Sequence, residues 1–175
     1  MSHATIAAFF GVVGPAGSSP QHQNIPFMQS LFVQDHPAGN PRYPNIGLTT
    51  GGPQFTGQRA IGILFQELFT SFPDLVFSPA NGLRLTDGNT IGIEATLSTG
   101  IQVAAWSPGG NASHPLSPIV PDKKHRSDYL PVCAIFTFGG NCLIQNLGLY
   151  FDRWKLAIDL WDGSNPPHLD IGLRK

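Results

Sequence analysis

Residues 55–75 read FTGQRAIGILFQELFTSFPDL and carry the strongest helical pattern in the chain. Six apolar residues recur at the spacing of one helix face, and they are Ile61, Leu64, Phe65, Leu68, Phe69 and Phe72. Thr56 is a suitable N-cap, and Pro73 ends the pattern. A helix with such a wide apolar face is stable only when another layer covers it, so the remaining chain must supply that layer.

The residues after Pro73 supply it, because the apolar period changes there from helical to alternating. The segment LRLTDGNTIGIEATLST predicts two strands joined by a hairpin at Asp87-Gly88. In the second strand Ile91, Ile93, Ala95 and Leu97 share one face, and Glu94 lies on the other. Further strands are predicted at IQVAAW, YLPVCAIFTF and CLIQNLGLYF, and a closing helix at DRWKLAIDLWD. Short connections between strands indicate a mostly antiparallel sheet in an α+β fold, with the helices on one face.

The N-terminal part contains two shorter helical signals. The run ATIAAFFGVVG is too short to span a bilayer, and it is either a first core helix or the core of a signal peptide. No lysine or arginine precedes it, which favours the core helix. A second short helix is predicted within IPFMQSLFVQD, and residues 36–53, with four prolines, are predicted to be loop or edge.

Composition limits the classes of function. The chain has 175 residues, which is typical of one domain, and its net charge of −1 with 12% charged residues argues against a nucleic-acid partner. The basic cluster at residues 123–126 has aspartates on both sides and is interpreted as a solvated loop. Cys133 and Cys142 are predicted to lie about 13 Å apart, too far for a disulfide. Free thiols fit a reducing, cytoplasmic location, although the signal-peptide alternative leaves secretion open.

Three sequence blocks together resemble the SnoaL-like proteins of the nuclear-transport-factor-2-like superfamily. They are FTGQRAIGILFQELFTSFPDLVF, DGNTIGIEATLSTG and VCAIFTFGGNCLIQNLGLYFDRWKLAIDLW, in the family's order over about residues 50–162 of a single domain. Residues 1–49 would form an extension, and residues 163–175 a tail. The resemblance implies a cone-shaped, curved, mostly antiparallel sheet packed on about three helices around an apolar pocket. It also implies a homodimer through the outer sheet face and no membrane partner.

The resemblance further implies a cofactor-independent cyclase, isomerase or dehydratase, of lyase or isomerase type, without a metal. Its substrate would be a hydrophobic polyketide- or terpenoid-type intermediate of natural-product biosynthesis. Asp152 matches the aspartate of the family's YFD block, which acts as general acid/base in polyketide cyclases of this type. Alternatively, Asp152 only caps the final helix. Tyr150 shares its strand face, and Glu94 is a further base candidate if its face lines the pocket and a solvated residue if it does not.

Other polar and aromatic residues are candidates for substrate binding. They are Asp35, His36, Arg42, Tyr43, Asn146, Phe65, Phe69 and Trp106. The strand PVCAIFTF lacks the histidine that assists the aspartate in some relatives, so a non-catalytic binding protein with the same fold remains an alternative. An enclosed cavity holding two or more ionisable groups would indicate catalysis, and a wholly apolar cavity would indicate binding alone.

Overall fold

The computed structural model describes residues 2–35, 43–48, 54–99 and 127–152. These ranges contain α1 (Ser2–Val13), α2 (Ile25–Ser30), β1 (Asn45–Leu48), β2 (Gln54–Thr56), α3 (Gln58–Ser71), β3 (Val76–Asp87), β4 (Thr90–Thr99), β5 (Ser127–Phe138) and β6 (Ile144–Phe151). The described strands form one six-stranded sheet in the order β2-β1-β6-β5-β4-β3. The predicted strand at residues 101–106 and the predicted closing helix after Asp152 lie outside the described residues.

The pairing of the strands confirms an α+β fold with a mostly antiparallel sheet. Every pair of neighbouring strands is antiparallel except β1 and β6, which run parallel. The sheet formed by the described strands is open, since β2 and β3 form its two edges. The hairpin predicted at Asp87-Gly88 is confirmed, because β3 and β4 are joined there and Asp87 lies opposite Thr90.

The expectation of loop or edge structure for residues 36–53 is wrong for β1. Asn45–Leu48 lies inside the sheet, with β2 on one side and β6 on the other. Ile46 and Leu48 are 0% and 3% exposed and point into the core. The prolines that indicate a loop flank this strand without interrupting it, and four residues are too few to give a clear alternating signal.

The start of α3 differs from the prediction because a distant residue caps it. Thr56 belongs to β2, and the N-cap is Gly57, which has a φ of 90° and no side chain to accept a hydrogen bond. The acceptor is instead the carboxylate of Asp35, which receives the Gln58 N–H at 2.9 Å. A Cβ on Gly57 would lie 3.3 Å from both Asp35 carboxylate oxygens and in a backbone region that favours glycine. The prediction of Thr56 as the N-cap is therefore wrong, and the cap is a tertiary contact.

The core lies between the helices and the inner face of the sheet. Phe9 of α1 is fully buried, and its ring centroid lies 6.1 Å from that of Phe65 on α3. It lies 6.2 Å from the ring of Phe77 on β3 and 5.3 Å from that of Phe136 on β5. The N-terminal apolar run is thus a core helix, as expected. Within the described ranges, no helix is long and apolar enough to cross a membrane.

Replacing Phe9 with alanine should lower the free energy of unfolding by about 3–5 kcal/mol, because the ring is buried among three elements. Denaturant unfolding of both proteins measures the difference. Ala7→Ser, at an exposed position of the same helix, is the control and should change stability by less than about 0.5 kcal/mol. Equal stability of Phe9→Ala and the wild type would show that α1 is not part of the core.

Replacing Asp35 with alanine should destabilise the protein by about 1 kcal/mol, because α3 loses a carboxylate at its positive end. Asp35→Asn keeps an acceptor and should lose less, which separates the hydrogen bond from the charge. Gln34→Ala, at the neighbouring exposed position, is the control. Denaturant unfolding at low and high salt measures both terms, and equal stability of Asp35→Ala and Gln34→Ala would contradict the capping role.

Candidate functional site

An apolar cavity of about 50 Å³ lies between α3 and the inner face of the sheet. Among the described residues its wall consists of Leu48, Leu64, Phe65, Leu68, Phe72, Leu75, Leu97, Thr99, Leu149 and Phe151. The atoms that these residues expose to the cavity are apolar. The cavity is partly open to solvent.

Local sequence explains how these side chains come together. Leu64, Phe65 and Leu68 belong to the apolar face of α3 that points at the sheet. Phe72 caps the helix and Pro73 follows it, and the turn from Phe72 to Leu75 brings Leu75 under the end of that helix. The inward positions of β4 and β6 supply four more wall residues, and Leu48 of β1 and Phe72 at the end of α3 complete the described wall.

Thr99 is the one residue of this described wall with a hydrogen-bonding side chain. It is 3% exposed and lies at the end of β4. Its hydroxyl donates to Oδ1 of Asp74 at 2.9 Å. Asp74 lies in the turn between Phe72 and Leu75, so the hydrogen bond joins the turn after α3 to the end of β4.

The three predicted catalytic residues do not share the cavity. Glu94 is exposed on the outer face of β4, opposite Cys133 of β5. Cys133 in turn lies opposite Tyr150 of β6, which is 41% exposed. Asp152 is exposed and directly follows Phe151, whose side chain lines the cavity. Tyr150 and Asp152 both adjoin Phe151 in sequence, and a catalytic role for any of the three stays a prediction.

Tyr150 lies back along its own strand, over Gly148. A Cβ placed on Gly148 would be 2.7 Å from Cε2 of the ring and 3.1 Å from its hydroxyl oxygen. Only glycine therefore leaves room for the ring in this position, which covers the bare backbone of β6 on the outer face. The phenol thus extends along the sheet surface and away from the cavity.

The predicted substrate-binding residues are dispersed. Phe65 lines the cavity, and Phe69, which is buried, packs against it with ring centroids 5.9 Å apart. Asn146 is exposed on the outer face of β6. Tyr43 is 39% exposed, and its carbonyl accepts the Gln145 side-chain amide at 2.8 Å.

The remaining candidates lie elsewhere. Asp35 caps α3, as described above. His36, Arg42 and Trp106 lie outside the described residues. Among the residues that are described, no three histidine, cysteine, aspartate or glutamate side chains come together as possible metal ligands.

Sequence reasoning missed most of the wall, although the signals were present. Leu64 and Leu68 belong to the predicted stripe of α3. Leu97 shares a predicted strand face with Ile91, Ile93 and Ala95, although parity does not show which face of that strand points inward. Thr99 continues that parity by one more step, to the end of β4. What parity alone could not show is which of these buried positions border an unfilled space, because that depends on packing between distant elements.

Comparison with known proteins adds a fold and no close relative. No protein-family model matches the chain, and no curated protein sequence matches it. Solved structures do match the chain. A structure named as that of a SnoaL-like polyketide cyclase from Jannaschia sp. CCS1 is 14% identical, with a TM-score of 0.62 over 95% of this chain and 93% of that one.

Two further structures give the same result. SalBIII, described as an epoxide hydrolase/cyclase-like enzyme in pyran ring formation, is 12% identical, with a TM-score of 0.60 over 91% of this chain and 95% of that one. A nuclear-transport-factor-2-like protein of unknown function from Burkholderia pseudomallei is 11% identical, with a TM-score of 0.59 over 91% of this chain and 96% of that one. The predicted nuclear-transport-factor-2-like, SnoaL-like fold is thereby confirmed, and at these identities the likeness shows the fold alone.

Proposed function

We propose that the protein binds a small hydrophobic molecule by taking one apolar end group of it into the cavity. The observation that supports this is the wall itself, whose described residues expose only apolar atoms to a partly open space. Burying apolar surface there is favourable by about 25 cal/mol per Å². The described wall offers a charged or polar ligand group no compensation for the water that it would lose.

The size of the cavity limits the group that enters. About 50 Å³ is a third of the ~150 Å³ of an engineered apolar cavity that holds one benzene molecule. The space therefore fits a short alkyl group better than a ring. A larger ligand would keep its remaining part at the open side, or would require Leu68 and its neighbours on α3 to move.

Butylbenzene, with an alkyl tail and a ring, is a suitable probe for this function. It should bind the wild type, and the resulting changes in amide NMR chemical shift should be largest for the residues around the cavity. Leu68→Phe fills the space and should weaken binding at least tenfold. The wild-type affinity is the reference, and it depends on the apolar area that butylbenzene buries in the cavity. Ile63→Phe, at a position of α3 that is 48% exposed, is the matched control and should bind like the wild type. Absence of binding by the wild type, or equal weakening by both variants, would contradict the proposal.

A second candidate function is proton transfer on a hydrophobic intermediate. It is supported by the position of Asp152 next to Phe151, which lines the cavity, and by neighbours that are named as cyclases. In this proposal Asp152 acts as general acid/base in the cyclisation, isomerisation or dehydration of a polyketide- or terpenoid-type molecule, without a cofactor. Pockets for such ligands usually measure about 300–1,000 Å³, so this function requires the cavity to widen.

Hydrogen exchange at carbon tests this second candidate without knowledge of the substrate. Tetralone, a bicyclic ketone, is incubated with the protein in deuterated water, and deuterium uptake beside its carbonyl is followed by NMR. The wild type should accelerate uptake, and Asp152→Asn should slow the catalysed rate by about 100-fold or more. Asp87→Asn, at the exposed end of β3, is the control and should exchange like the wild type. Uptake that does not depend on Asp152 would remove this residue from the mechanism and leave the binding function standing.

The homodimer implied by the resemblance also stays a proposal. On the outer face of the described sheet, Tyr129 and Tyr150 are 55% and 41% exposed, and Leu85 is 61% exposed. These large side chains expose apolar surface on one face of the sheet, and exposed apolar surface of this kind supports association with a second copy of the chain. The cytoplasmic location stays a prediction as well.

A further inference from the structure

Thr99 has a role in the cavity wall that its residue type does not predict. It is buried, and it is the one described wall residue that could form a hydrogen bond with a ligand. Yet the described wall exposes only apolar atoms to the cavity. Thr99 therefore contributes carbon to the wall, and its hydroxyl is turned elsewhere.

The reason for this orientation is Asp74. The Thr99 hydroxyl donates its single proton to Asp74 Oδ1 at 2.9 Å. A hydrogen bond to a carboxylate is about twice as strong as one between neutral groups, so it fixes the side-chain rotamer firmly. Asp74 itself lies at an exposed position of the turn after α3, outside the described wall.

We propose that Asp74 is a specificity-determining residue, which keeps this part of the wall apolar by holding the Thr99 hydroxyl and thereby selects a hydrocarbon end group over a hydroxylated one. The inference rests on the proposed binding function and deepens it, because it names the chemical class of the group that enters. With its proton engaged by Asp74, Thr99 has no donor to offer a ligand. A hydroxyl or carbonyl group taken into this space would therefore lose water without a new donor in return.

A pair of nearly isosteric probes tests the selection. Butylbenzene ends in a methyl group, and phenylpropanol has a terminal hydroxyl in its place. The measured quantity is the ratio of their dissociation constants for each protein, because the difference in hydration between the probes cancels when ratios are compared. We expect the ratio to favour butylbenzene strongly in the wild type.

Asp74→Ala removes this acceptor, so the hydrogen bond no longer holds the Thr99 hydroxyl away from the cavity. The preference for butylbenzene should then fall about tenfold, the scale of one hydrogen bond. Asp74→Asn retains an acceptor oxygen and should keep the wild-type ratio. Thr99→Val, which has the same shape without a hydroxyl, should also keep it, and adding Thr99→Val to Asp74→Ala should restore it.

The outcomes separate this inference from the proposed function. If butylbenzene binds the wild type but Asp74→Ala leaves the ratio unchanged, the role of Asp74 is wrong and the binding function stands. If butylbenzene does not bind the wild type, the proposed function itself fails. Should Asp74→Ala not fold, the wild type still provides a test, because bound butylbenzene should give a nuclear Overhauser effect to the Thr99 methyl group. Absence of that signal with the probe bound would also overturn the inference.

Discussion

The packing of α3 on the inner face of the sheet is the contact on which the rest of the structure depends. The helix has one wide apolar stripe, and Ile61, Leu64 and Phe65 of that stripe are almost completely buried. Leaving a stripe of this size in water would cost several kcal/mol, since each large apolar side chain contributes about 1.5–3 kcal/mol on burial. The strands after Pro73 supply the covering layer, and α1 adds Phe9 to the same core. The described part of the chain thus encloses one core, and its cavity lies inside that core.

The alternation of side chains along the strands divides the chemistry of the sheet between two faces. Ile91, Ile93 and Ala95 point inward, and Glu94 points outward on the same strand. The same rule places Leu149 and Phe151 at the cavity and Tyr150 on the opposite face. A shift of register by one residue would exchange the two sets completely, so the apolar cavity and the set of residues on the outer face follow from one constraint. This is why Glu94 and Tyr150 lie on the outer face while the described cavity is apolar.

Sequence reasoning succeeded where the signal was local and failed where partners were distant. The helical stripe of α3, the hairpin at Asp87-Gly88 and the shared face of Ile91, Ile93 and Ala95 on β4 all follow from signals that can be read within a dozen residues. The cap of α3 could not be predicted, because Asp35 lies far from Gln58 in sequence and only the fold brings them together. The strand β1 was missed because its four residues stand among prolines, and its stability comes from pairing with β6, more than a hundred residues later. The candidate site shows the same division. The residues that share a helix or strand face could be predicted, but the face of β4 that points inward and the position of the unfilled space could not.

The cavity itself argues for a function, because it is a defect in an otherwise closely packed core. An unfilled apolar space of about 50 Å³ corresponds to a loss of about 1 kcal/mol, at roughly 24 cal/mol per Å³. A single larger side chain at Leu68 or Leu97 would recover much of that stability. A departure of this kind from the most stable solution is expected where a protein binds something.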